Sequence, residues 1–207
     1  MKSAIPSPRP RGRPRSFDRD AALAAAMETF WRLGYEGASI ADLTAAMAIT
    51  PQSLYAAFGS KAALYREALG LYRATSGASL AETLNEERTV SAAFERVLKQ
   101  RARTFSRPGR PAGCMISTAA LTCASENEPI ADHLRALRNG ALAGFRAGLE
   151  RGRARGEFRA DIDVDGLARL LAAVIQGMAV QACDGASEAD LQCLVRFACD
   201  ELKRQRA

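Results

Sequence analysis

The chain has 207 residues, 48% of them apolar and 25% charged, with a formal net charge of +6. That length suffices for a proper core, and the richness in Ala, Leu, Arg and Glu against few β-branched residues excludes a sheet-based fold. No apolar h-region opens the chain and no stretch reads as long and uncharged enough to span a bilayer, so a soluble cytoplasmic protein without a membrane partner is expected. Five cysteines without a CxxC pair argue against a disulfide framework and against a zinc site.

Charge is unevenly placed. Residues 1–16 hold Lys2, Arg9, Arg11, Arg13 and Arg15 and no acid, whereas residues 17–76 carry five basic and six acidic residues. The remaining 131 residues carry nineteen basic and seventeen acidic, so the excess sits on one end. That end also holds four of the eight prolines and almost nothing apolar, which predicts a disordered arm. Its RGRPR core is slim between guanidiniums and suits a narrow minor groove, where negative potential is strongest.

Phe17 and Asp18 open a first helix, Asp18 as N-cap, with Leu23, Met27, Phe30 and Trp31 as its apolar stripe and Gly34 as its stop. Trp31 reads as a packing anchor. Ser39 then caps a short helix with Ile40, Leu43 and Met47 on one face. Thr50 caps the next, Pro51 sits where a missing N–H costs nothing, and Leu54 and Phe58 form the inward stripe. Gln52, Ser53, Tyr55 and Ala56 are left for other faces. Two short helices over residues 39–58, the second polar on its outer side, suit insertion into a DNA major groove. After Gly59, Ser60 caps a fourth helix, SKAALYREALGLY. Lys61 in its first turn opposes the helix dipole, a conflict that a bound phosphate removes.

Residues 17–76 resemble the DNA-binding domain of the tetracycline-repressor (TetR) family. The likeness rests on FWRLGYEGAS, on IADLTAAMAIT through the turn, and on LYAAFGSKAAL, which matches the family's L-Y-x-x-F-x-S-K-x-x-L pattern. The resemblance implies an all-α protein: a three-helix helix-turn-helix head over 17–76, then a helical effector-binding and dimerisation domain over 77–207. It implies a dimeric repressor whose third helix reads an inverted-repeat operator in double-stranded DNA. Tyr55 and Lys61 would then contact phosphates, and Thr50, Gln52 and Ser53 would lie at the groove. Ser39 and, from the arm, Arg11, Arg13 and Arg15 complete the expected DNA-binding residues. Ala48 departs from the family's glycine in the turn; a positive φ there strains alanine by about 1 kcal/mol.

Beyond Tyr72 periodicity carries the reading. Residues 73–88 continue helical or pass a hinge near Gly77, and Thr89 caps a helix bearing Val90, Phe94, Val97, Leu98 and Phe105. Cys114 to Ala124 reads as a buried helix. A long amphipathic helix spans roughly Ile130 to Ala154, and two more run from about Val164 to Cys183 and from Ser187 to near Arg204. The last two are apolar on more than one side, and Ala173, Gly177, Ala179 and Ala182 permit close approach, so a homodimer through this pair is expected.

An enzyme is not expected. The one histidine, His133, lies beside Asp132 and Arg135, and no nucleophile–base order, phosphate loop or dinucleotide motif occurs. No spacing implies a metal or cofactor. A small-molecule effector in the body suits an apolar cavity walled by Phe94, Leu98, Phe105, Met115, Leu121, Leu137, Phe145, Ile175 and Met178, residues that a plain core would use equally. Cys114, placed at the start of the buried helix near Arg107 and Arg110, reads either as a reactive thiolate or as an inert space-filler. The rival function is a dimeric helical ligand-binding or scaffold protein with a degenerate head. Deleting residues 1–16 is expected to weaken DNA binding and flatten its salt dependence; an unchanged salt slope rules the arm out as a DNA contact.

Overall fold

The computed structural model describes residues 17–75 and 80–207. The basic arm with Arg11, Arg13 and Arg15, and the hinge expected near Gly77, lie outside them. Among the described residues the regular elements are α-helices: α1 (Arg19–Gly37), α2 (Ile40–Met47), α3 (Pro51–Phe58), α4 (Lys61–Thr75), α5 (Leu80–Glu86), α6 (Val90–Phe105), α7 (Glu128–Ala154), α8 (Val164–Cys183) and α9 (Glu188–Arg204).

The first four helices make the head. Asp18 caps α1 by accepting from the amides of Asp20 and Ala21, and α1 runs past the expected stop: Gly34 breaks it at φ 72°, after which a last turn continues to Gly37. α1 packs on α4 and α2 through Ala26, Met27 and Phe30, all buried. Leu43 and Met47 from α2 and Leu54 and Phe58 from α3 complete this core. Burial of each such side chain contributes about 1.5–3 kcal/mol.

The body is built on α6, whose apolar stripe (Val90, Phe94, Val97, Leu98, Phe105) is buried against α9, α8 and α5. Phe94 meets Phe145 of α7 edge to face at 5.6 Å. Thr89 caps α6, and Ser187 and Asp190 form a reciprocal capping box at α9.

Three expectations are corrected. Residues 114–124 form no helix; they pass inward and out again as a chain of turns. Gly113 enters at φ 76°, and a Cβ there would stand 2.5 Å from Cys183 Sγ and 2.7 Å from the Ala179 carbonyl, so only glycine fits. The carbonyls of Ile116 and Ala119, which a helix would pair internally, accept instead from the Arg138 guanidinium at 3.0 and 3.2 Å. Ala120 adopts φ 45°, and Ser117, Thr118 and Thr122 are weak helix formers. Secondly, α8 is long and apolar enough, by length and composition, to cross a bilayer. It is nonetheless packed against α6, α7 and α9, and its apolar character comes from having two faces to cover. Thirdly, Ala179 and Ala182 point into the protomer's own core, while Ala173 and Gly177 stay outside it.

The turn between α2 and α3 places Ala48 at φ 53°, ψ 41°, the left-handed region. Ala48→Gly is expected to stabilise the protein by about 0.5–1 kcal/mol, seen as a higher denaturant midpoint at unchanged slope.

Candidate nucleic-acid interface

The surface of α2, the turn and α3 is ordered by its caps. Ser39 and Asp42 bond reciprocally: the Asp42 amide donates to Ser39 Oγ at 3.0 Å and the Ser39 amide to Asp42 Oδ2 at 2.9 Å. The Ser39 hydroxyl and amide hold the Asp42 carboxyl below its ordinary range. At α3, the Ser53 amide donates to Thr50 Oγ1 at 3.2 Å, and the Thr50 hydroxyl donates on to Ser53 Oγ at 3.0 Å. At the start of α3 Pro51 has no N–H to satisfy, the Ser53 amide is held by Thr50, and the Leu54 amide makes the first helical bond, to the Thr50 carbonyl at 3.0 Å.

With Leu54 and Phe58 inward, Gln52, Tyr55 and Ala56 are exposed, Tyr55 by 48%. An aromatic with a polar tip, half in water on a short rigid helix, suits a surface that binds a phosphate or a base edge. Ser39 and Thr50 are exposed too, and Ser53 is half-buried. The structure thus groups Ser39, Thr50, Gln52, Ser53 and Tyr55 on one helix-turn-helix and sets Lys61 at the first position of α4, directly after it.

Lys61 has neighbours that its sequence position did not reveal. Its ammonium lies 4.6 Å over the Tyr35 ring. Partial burial pulls its pKa down, and the Glu36 carboxylate pulls it up. Glu36 itself reaches the body: its Oε1 accepts from the Ala124 amide at 2.8 Å and from Asn127 Nδ2 at 2.7 Å. A second link runs from Glu28 to Arg110 at 3.7 Å. At the other end of α1, Arg19 forms a two-bonded ion pair with Glu67 of α4 at 2.8 and 2.7 Å and lies 4.4 Å over the Phe58 ring, bracing α3 from behind. Nothing in the local pattern marks Tyr35, Glu36 or Arg19, because their partners stand far off in sequence.

The residues proposed to wall an effector cavity divide. Phe94, Leu98, Phe105, Met115 and Met178 are core, Phe145 and Cys114 are buried at its margin, and Leu137 and Ile175 are half-buried. Leu121 is 67% exposed, so it walls no enclosed space here; the turns over residues 114–124 swing it outward. Clefts between α6 and α9, at Glu95, Lys99, Val195 and Cys199, and along α6, at Arg96 and Arg103, include none of these residues. Cys114 stands at no helix N-terminus, so the dipole invoked for its reactivity is missing. Its Sγ instead accepts from the Ser117 amide at 3.4 Å.

Comparison with known proteins bears on this surface. The sequence pattern described as "Bacterial regulatory proteins, tetR family" matches residues 22–68, and that described as "Tetracyclin repressor-like, C-terminal domain" matches residues 90–190. The chain is 38% identical over 181 residues to the HTH-type transcriptional repressor ComR of Escherichia coli, covering 86% of this chain and 85% of ComR. It is 43% identical over 105 residues to the repressor BdcR of the same organism, covering 51% and 53% of the two chains. Among solved structures it resembles a cysteine variant of the TetR-family regulator CifR complexed with 26-bp double-strand operator DNA. The TM-score is 0.87 at 42% identity, over 91% of this chain and 98% of that one.

Hydrogen bonds from Asn127 and then Ala124 hold the Glu36 carboxyl below its ordinary range. A depressed carboxyl contributes its tether above the ordinary carboxylate range and loses it as pH falls through the lowered value. Glu36→Ala is therefore expected to speed hydrogen exchange at the Ala124 amide at neutral pH. In the unchanged protein the same amide is expected to lose protection on acidification.

Proposed function

This chain belongs to the TetR family of bacterial regulatory proteins, and from that premise we propose that it acts in the cytoplasm as a homodimeric repressor on an inverted-repeat operator. The observation that carries the proposal is α3: short, capped by Thr50, buried through Leu54 and Phe58, and offering Gln52 and Tyr55 to solvent. The likeness to a regulator complexed with its operator supports it. Lys61 and Tyr55 bind phosphates and fix register, while Gln52, with Thr50 and Ser53 at the helix start, faces base edges. Arg11, Arg13 and Arg15 of the arm enter the adjoining minor groove. No catalytic step is assigned to the chain.

Dimerisation uses the outer side of α8 and α9. Leu170 and Val180 on α8 are 43% and 48% exposed, and Phe197 on α9 is 73% exposed. Large apolar side chains bared together on two neighbouring helices mark an interface, and Ala173 and Gly177 allow backbones to approach there. Two heads then present α3 to half-sites ~34–36 Å apart or a multiple of that.

A small-molecule effector in the body releases the operator by favouring a head spacing that no longer matches the groove. Lowering operator affinity about 1,000-fold requires about 4 kcal/mol of differential effector affinity between the two states.

A duplex selected from random oligonucleotides by the purified protein tests the proposal. Lys61→Ala and Tyr55→Ala are expected to weaken its binding while the unfolding midpoint holds. The lysine change is also expected to reduce the salt slope by about 1. Folded variants that bind the duplex as the unchanged protein does would favour the scaffold reading, with its degenerate head.

A further inference from the structure

The break in α1 at Gly34 sends two neighbouring side chains in different directions. Tyr35 turns inward, its ring 6.3 Å from that of Phe30 and 5.1 Å from that of Tyr65. The Lys61 ammonium lies 4.6 Å from the centre of the same ring. Glu36 stays exposed and reaches the body, where its Oε1 accepts from the Ala124 amide at 2.8 Å and from Asn127 Nδ2 at 2.7 Å. One short turn thus carries both the ring beneath the lysine and a carboxylate tied to a residue 91 positions away.

Asn127 shows how directed this tie is. It occupies the N-cap position of α7, where asparagine is among the preferred residues. Its side chain nevertheless makes no capping bond there and donates to Glu36 instead. Asn127 first, then Ala124, hold the Glu36 carboxyl below its ordinary range, and the Lys61 charge adds to this through space. Burial lowers the Lys61 pKa, and the Glu36 carboxylate acts against that. The two groups attract, yet among the described residues no ion pair joins them, and the ammonium rests on Tyr35. A charged donor binds a carboxylate more strongly than a neutral amide does. Glu36 deprived of its body partners therefore has the lysine to turn to.

We propose that Glu36 is a positioning residue for Lys61: the Ala124 amide and the Asn127 side chain hold its carboxylate off the ammonium, which leaves the lysine on Tyr35 and open to a DNA phosphate. This rests on the reading of Lys61 as a phosphate contact and adds what keeps that contact available. When the two donors withdraw, the carboxylate pairs with the ammonium and competes with the phosphate for it. Both donors belong to the body, on the stretch that leads into α7. The conformation of that stretch thereby sets the affinity of the head for DNA.

A cycle of variants in the full-length protein, read on the selected duplex, tests this. Asn127→Ala removes one donor and no helix cap, and is expected to weaken binding about fivefold per head, the scale of an exposed ion pair. Adding Glu36→Gln, which keeps an acceptor and drops the charge, is expected to restore binding. In a Lys61→Ala background, Asn127→Ala is expected to change nothing further. A loss that persists with Glu36→Gln or with Lys61→Ala is structural and overturns the proposal. So does an Asn127→Ala protein that binds as tightly as the unchanged one. A second readout needs no DNA: the Lys61 side chain is titrated by NMR in the free protein. Its pKa is expected to rise in Asn127→Ala and not in the double variant with Glu36→Gln; absence of the rise overturns the proposal. If the rise is seen while Lys61→Ala leaves duplex binding unchanged, the Glu36 arrangement stands and the phosphate reading falls.

Discussion

Everything in this protein hangs on α4 serving two cores at once. Leu64, Tyr65, Ala68 and Leu69 close the head, yet Tyr65 and Tyr72 also lie against the Cys114–Met115 segment of the body. The contact with α1 is largely aromatic: Phe30 meets Tyr65 at 4.9 Å, Tyr35 meets Tyr65 at 5.1 Å, and Trp31 meets Tyr72 at 4.9 Å. Rings interlocked edge to face tolerate little sliding, because close-packed interiors shift between discrete arrangements rather than deform smoothly. The body end of α4 and the lysine that begins it are thus held to α1 by the same set of rings.

The head was almost wholly legible in the sequence because its determinants are local. Asp18, Ser39, Thr50, Ser60 and Gly59 each act on residues within one turn, and the apolar spacing of Leu43, Met47, Leu54 and Phe58 allowed one inward face. The LYAAFGSKAAL pattern then fixed the family. The helices of the body were legible for the same reason. Cys114 to Ala124 was not. Its composition reads as buried helix, but a guanidinium from α7 takes its carbonyls and Gly113 is wedged against α8, and neither partner is near in sequence.

The same divide separates what could be read of the candidate sites. Gln52, Ser53 and Tyr55 follow from helix phase alone. The tether from Glu36 to Ala124 and Asn127 spans 88 and 91 residues of sequence, and the stacking of Lys61 on Tyr35 depends on how α1 meets α4. Apolar residues expected as cavity walls, such as Phe94 and Leu98, are buried, a position that an apolar side chain at helical spacing takes in a plain core as readily as around a ligand.

Phe197, bared to 73% on α9, carries a consequence for how such a regulator keeps count. A face of that kind is covered only when two chains meet, and in the dilute regime the number of pairs falls as the square of the number of chains. A cell holding few copies would see operator occupancy drop faster than synthesis does. Growth that dilutes the chain without new synthesis would therefore loosen the repressor's grip faster than the concentration of the chain itself falls.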